Sequence, residues 1–156
     1  MKRATLALAA VMAVPVAYAQ AHEGTHAEIH GPSKLGTVQQ NSEHNFLLPG
    51  VSVTCPGPED APPCRVVATV RTASRVRVKP GEKKRVVTLG RTVYNLHADR
   101  DHQTLHPIHL NETGDKLLAR YGGRIGARAL VEAGHKASWV NGRTLRNFRF
   151  TLADHE

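Results

Sequence analysis

The sequence predicts an all-β fold, an antiparallel β-sandwich of about seven strands with one short connecting helix. Two observations carry that expectation. From residue 50 onward, short runs rich in Val, Thr, Phe and Tyr are separated by Gly, Pro and Asp breaks. The two longest runs alternate apolar and polar residues, as antiparallel strands with one buried and one wet face do.

Residues 1–21 read as a signal peptide. Lys2 and Arg3 give a positive start, residues 4–17 are apolar, and cleavage sites follow Ala19 and Ala21. The apolar run is shorter than the roughly 20 residues that cross a bilayer, and no Cys stands at the cleavage site to carry a lipid. The expectation is a secreted protein, periplasmic or extracellular, with no stable membrane anchor. Residues 22–49 hold few apolar side chains and read as a flexible, His-containing segment. Residues 50–156 read as the folded domain, in a mature chain of about 135 residues that suits one core.

Within that domain Val51 and Val53 lead to Cys55. Cys55 and Cys64 enclose eight residues, four of them proline. An even count and an exported chain make a disulfide the expected state. Metal ligation by the pair is disfavoured because the loop holds no further His or Cys, and a redox pair because the Cys-x-x-Cys spacing is absent. Residues 65–71 alternate as a strand. Val76 and Val78 run to a Lys79-Pro80-Gly81 turn. Residues 85–89 and 92–96 flank Gly90, which predicts a bulge or tight reversal. Pro107 places the run 104–110 at an edge or at an unpaired position. Residues 111–122 form the helical candidate, with Thr113 as cap, Leu117, Leu118 and Tyr121 as its face, and Gly122-Gly123 as its stop. Ile125, Ala127, Ala129, Val131 and Ala133 then share one strand face, and Phe148, Phe150 and Leu152 share another. Between those two strands a hairpin tip carries the lone Trp139.

Residues 50–152 carry a resemblance. The order Val51-x-Val53-x-Cys55, a Pro-rich gap, Cys64, Leu89-Gly90, Val93-Tyr94-x-Leu96, Ile108-x-Leu110 and Thr113-x-x-x-Leu117-Leu118 resembles secreted actinobacterial-type immunoglobulin-like β-sandwich modules with a Cys-bracketed loop. Their Gly-x-x-Leu-Leu-x-x-x-Gly motif is matched by residues 114–122. His106 and His109 depart from the usual Val and Lys of that group, and Trp139 from its plain Asp-Gly turn. The resemblance implies an immunoglobulin-like fold and an exported setting, with no single activity attached.

The charge is basic, 21 Lys and Arg against 13 Asp and Glu. Such a surface favours anionic partners through non-specific electrostatics, an anionic cell-envelope polymer among them, with no specific nucleic acid. The Arg residues between Arg65 and Arg149 interleave with apolar residues at strand spacing and read as solvated outer faces. Sequence motifs for nucleophilic, zinc-protease or phosphate-loop chemistry are absent, so the expectation is a non-enzymatic module with a structural or interaction role. Trp139 and Tyr121 are the aromatic candidates for contact with another protein.

Ten histidines are the compositional anomaly, and imidazole suits copper and zinc. The metal-ligating candidates are His22, His26 and His30 near the N-terminus, and His97, His102 and His106 around a loop that also holds Asp99 and Asp101. Cleavage after Ala19 leaves Gln20-Ala21-His22, which resembles the amino-terminal copper and nickel motif. Cleavage after Ala21 exposes His22, which resembles the N-terminal-His copper ligation of periplasmic copper carriers and oxidative polysaccharide monooxygenases. A copper- or zinc-binding protein is therefore the alternative to a module without a cofactor.

Overall fold

Strand formation follows the alternation. In the computed structural model, which describes residues 26–98 and 102–155, the run Arg124–His135 forms β9, with Ile125, Ala127, Ala129, Val131 and Ala133 buried. Thr144–Ala153 forms β10, which buries Phe148, Phe150 and Leu152 and pairs with β9 antiparallel along its whole length. Cys64–Thr72 (β5) and Thr88–Leu96 (β6) add on the far side of β9. Where Val70 faces Gly90 and Arg71 faces Thr88, Leu89 is left over as a bulge. Of the bulge or tight reversal expected at Gly90, the bulge forms, at the neighbouring Leu89, and β6 runs through Gly90 as one strand.

Lys34–Gln39 (β2) completes this sheet as the edge strand next to β10, in the order β2-β10-β9-β5-β6. Two smaller sheets contribute to the same core. Glu28–His30 (β1), Ser52–Thr54 (β4) and Gln103–Thr104 (β7) form one, and Asn45–Phe46 (β3) pairs with Ile108–His109 (β8) in the other. Phe46 of β3 meets Phe150 of β10, ring centroids 5.9 Å apart, which joins the smallest sheet to the largest. Arg146 reaches from β10 to donate to the carbonyls of Ile29 and Gly31, and Thr144 donates to the carbonyl of Ala27, so β1 is stitched to the main sheet.

These strands correct three expectations. From residue 28 the segment 22–49 is not a flexible tail but supplies β1, β2 and β3, because Ile29, Val38, Phe46 and Leu48 are few but each is buried in the core. The main sheet consequently starts before residue 50. The pairing is not purely antiparallel, since β2 runs parallel to β10. The predicted strand around Val76 shrinks to one bridge between Val76 and Arg85, beside the Lys79-Pro80-Gly81 turn, and β6 starts only at Thr88. Pro107 lies between β7 and β8, outside any ladder.

The helix Glu112–Arg120 (α1) connects β8 to β9. Asn111, not Thr113, caps it: the Asn111 side chain accepts from the Gly114 amide at 2.8 Å and donates to the Thr88 carbonyl at 2.9 Å. Leu117 and Leu118 are buried, while Gly114 lies so close to β6 that a β-carbon there would stand 2.4 Å from the Leu89 carbonyl oxygen. At the β9–β10 tip the chain makes a turn of 3-10 helix, Lys136–Ser138, and one helical turn, Trp139–Gly142 (α2). Among the described residues no helix is long and apolar enough to cross a membrane.

Candidate anion-binding face

Strand alternation turns every second residue of the five-stranded sheet away from the core, and the register decides which of these stand side by side. Lys34 pairs with Arg149, Arg149 with Arg128, and Arg128 with Arg71. Four cations on β2, β10, β9 and β5 thus form one straight row, all exposed. At the usual strand separation the row spans about 14 Å. Ser33, Lys34, Arg128, Asn147 and Arg149 line one shallow depression, and Thr69, Arg71, Arg128 and Asn147 contribute to a second that adjoins it.

More cations share the face. Arg91 stands opposite Thr69, Arg65 opposite Gly134, and Arg124 ends β9 with its guanidinium 3.3 Å from the Thr37 hydroxyl. The acid that faces outward on β9 is Glu132, and Arg143 holds it at 3.4 Å. Among the described residues, Lys34, Arg71, Arg128 and Arg149 form no ion pair. A face that merely needs to be wet gains nothing from this alignment, because like charges directly opposite each other cost stability. What the row can do chemically is accept several phosphate or carboxylate groups at once, each guanidinium offering two parallel donors.

Trp139 belongs to the same region. It is half-buried rather than a free tip, with the Arg65 guanidinium 5.2 Å and the Arg143 guanidinium 5.7 Å from its ring. Tyr121 stays exposed at the C-terminal end of α1.

Comparison with protein-family models, curated proteins and solved structures gives no match.

The predicted histidine sets are only partly assembled. His22 lies outside the described residues, as do Asp99 and Asp101. His26 is exposed just before β1. His30 and His102, from the two separate sequence groups, come together with ring centroids 4.6 Å apart, and Thr54 links them. Its hydroxyl is 3.3 Å from His30 Nε2 and accepts from the His102 amide at 3.2 Å. Glu28 approaches His30 at 3.5 Å. His97 is exposed, and its carbonyl accepts from Gln103. His106 stacks flat on Tyr94 at 3.8 Å, a ring contact instead of a converging donor. Among the described residues, three metal-type donors converge at one place, Cys55, Cys64 and His135.

Cys55 and Cys64 form the expected disulfide, with Cα atoms 5.8 Å apart. Sequence reasoning missed Lys34 and the alignment of Arg71, Arg128 and Arg149 as a set. The signal was present as Arg at outward positions of three long strands, β5, β9 and β10, but the face alone does not specify that these strands are neighbours or which residues stand side by side.

Proposed function

We propose that the protein is an exported, non-enzymatic immunoglobulin-like β-sandwich module whose outer sheet face holds an anionic cell-envelope polymer. The observation that carries this reading is the Lys34–Arg149–Arg128–Arg71 row, an alignment of like charges without internal counter-charge. The disulfide and the basic balance of the chain support it, the first by suiting an oxidising compartment. The ligand class is a linear polymer with repeated phosphate or carboxylate groups, laid across the strands. Recognition is through charge and spacing, so affinity rises with polymer length and is modest for a single anion.

Titration of the purified mature protein with polyphosphate, with polygalacturonate and with neutral dextran, followed by Trp139 fluorescence and calorimetry, tests the reading. Binding to the two polyanions and none to dextran is expected. Equal response to dextran, or no binding to either polyanion at low salt, contradicts it.

A further inference from the structure

The loop between the cysteines lacks a third metal ligand, and that absence favours a plain covalent staple. The fold supplies the missing ligand from elsewhere. Cys64 opens β5 and His135 closes β9, and the ladder places them directly opposite each other. Both continue the inward-facing alternation of Val66 and Ala133, so sulfur and imidazole share one side of the sheet. Cys64 Sγ and His135 Nδ1 are 4.0 Å apart. Cys55, immediately after β4, adds the second sulfur, and the three donor atoms all lie within 4.8 Å of one another. Zinc bonds of about 2.3 Å to sulfur and about 2.0 Å to nitrogen, in tetrahedral geometry, place ligands roughly 3.5–4 Å apart.

The geometry points to a redox-gated metal site: Cys55, Cys64 and His135 bind Zn2+ when the disulfide is reduced, and the disulfide excludes the ion. The step balances with a dithiol as reductant. It delivers two electrons and two protons to the Cys55–Cys64 bond, which breaks to two thiols while the dithiol closes to its own disulfide. Zn2+ then displaces both thiol protons, and His135 gives the Nδ1 lone pair, leaving a fourth position for water. Nδ1 also lies 3.1 Å from the Pro62 carbonyl, so metal binding exchanges that contact and moves the ring proton to Nε2. A disulfide-containing oxidant reverses the exchange: it takes the two electrons from the thiolates, picks up two protons from water to become a dithiol, and leaves the Cys55–Cys64 bond re-formed and the ion released.

Two features favour the site. The Cys64–His135 juxtaposition is held by the β5·β9 ladder and not by the disulfide, and β4 is paired on both sides, with β1 and β7. The cysteines are almost wholly buried, at 1% and 0% exposure, and two thiolates neutralise a divalent cation, so no net charge is left in that buried place. Metal and disulfide thus alternate as ways of holding the same two sulfurs.

The test uses the full mature protein, oxidised and phosphine-reduced, titrated with Co2+ as a spectroscopic stand-in and then with competing Zn2+. The reduced protein is expected to take up one equivalent of Co2+ with a thiolate-to-cobalt charge-transfer band that Zn2+ removes, and the oxidised protein to show none. Loss of an outer partner of a zinc ligand weakens binding 10- to 100-fold, so His135→Ala, a ligand itself, should weaken it by about 100-fold or more. The oxidised form of that variant serves as its folding control by circular dichroism. An absent charge-transfer band, unchanged affinity in His135→Ala, or a reduced chain that unfolds and is not refolded by Zn2+ each overturns the proposal.

Discussion

Arg128 and Arg149 stand directly opposite each other across β9 and β10, both exposed, with Arg71 and Lys34 continuing the line on either side. A cross-strand pair of like charges lowers stability by roughly 0.2–1 kcal/mol relative to a neutral pair. Selection for stability alone would remove it, which makes the pair a place where stability and binding pull apart.

Arg149→Glu separates the two. The change turns a repulsive neighbour of both Arg128 and Lys34 into an attractive one. Urea unfolding should therefore give a midpoint equal to or above that of the parent, by about 0.5 kcal/mol, while polyphosphate affinity falls. Reduced stability together with unchanged affinity would show that the row serves the fold.

Arg146 is predicted to anchor β1. Its two donated bonds, to the Ile29 and Gly31 carbonyls, are part-buried. Arg146→Met keeps most of the side-chain stem and removes both bonds, at a cost of about 2 kcal/mol. Hydrogen exchange should speed up selectively in residues 28–31 and their partners in β4, with β9 left protected.

Tyr94 bears a buried hydroxyl that, among the described residues, has no partner at full hydrogen-bond geometry and is engaged only weakly by the His106 main chain. Burial pushes its ionisation up to about 12, with the His106 main chain opposing that rise only in part. An unfolded tyrosine ionises near 10, so between about 10 and about 12 the unfolded state loses a proton that the folded state keeps, and stability falls as pH rises through that window. Tyr94→Phe removes both effects. Urea midpoints should show the variant more stable by about 1 kcal/mol at neutral pH, with the gap widening above pH 10. A gap that stays constant with pH would remove the burial argument.

Gly114→Ala sets packing against propensity. Ala is the better helix former by about 1 kcal/mol. In α1 its β-carbon would stand 2.4 Å from the Leu89 carbonyl oxygen, and backbone cannot yield as a flexible side chain does. A net loss of about 1–3 kcal/mol is expected by thermal melting.

Much of this arrangement was legible in the residues. The period-two alternation of β9 and β10, the bulge beside Gly90 and the Cys55–Cys64 link each follow from local chemistry. What was hidden is whatever depends on pairing between distant segments. Alternation tells which face a side chain takes but not which residue lies beside it, so neither the Lys34–Arg71 row nor the meeting of His135 with the cysteines could be read from spacing. The strands before residue 50 were hidden for another reason. β1 and β3 have three and two residues, too few for a period to register, and Ile29 and Phe46 are their sole strongly apolar members. The helix cap went to Asn111 because its amide also reaches the Thr88 carbonyl, a tertiary bond no local pattern contains.

The most direct test of the anion-binding face is the salt dependence of polyphosphate affinity, measured in parallel for the parent protein and for Arg128→Gln/Arg149→Gln. Neutralising about four anionic groups predicts a slope of log affinity against log salt near −3 by analogy with single-stranded polyanions, reduced by about half in the double variant. A flat response in the parent, or a slope the double variant leaves unchanged, would contradict the account.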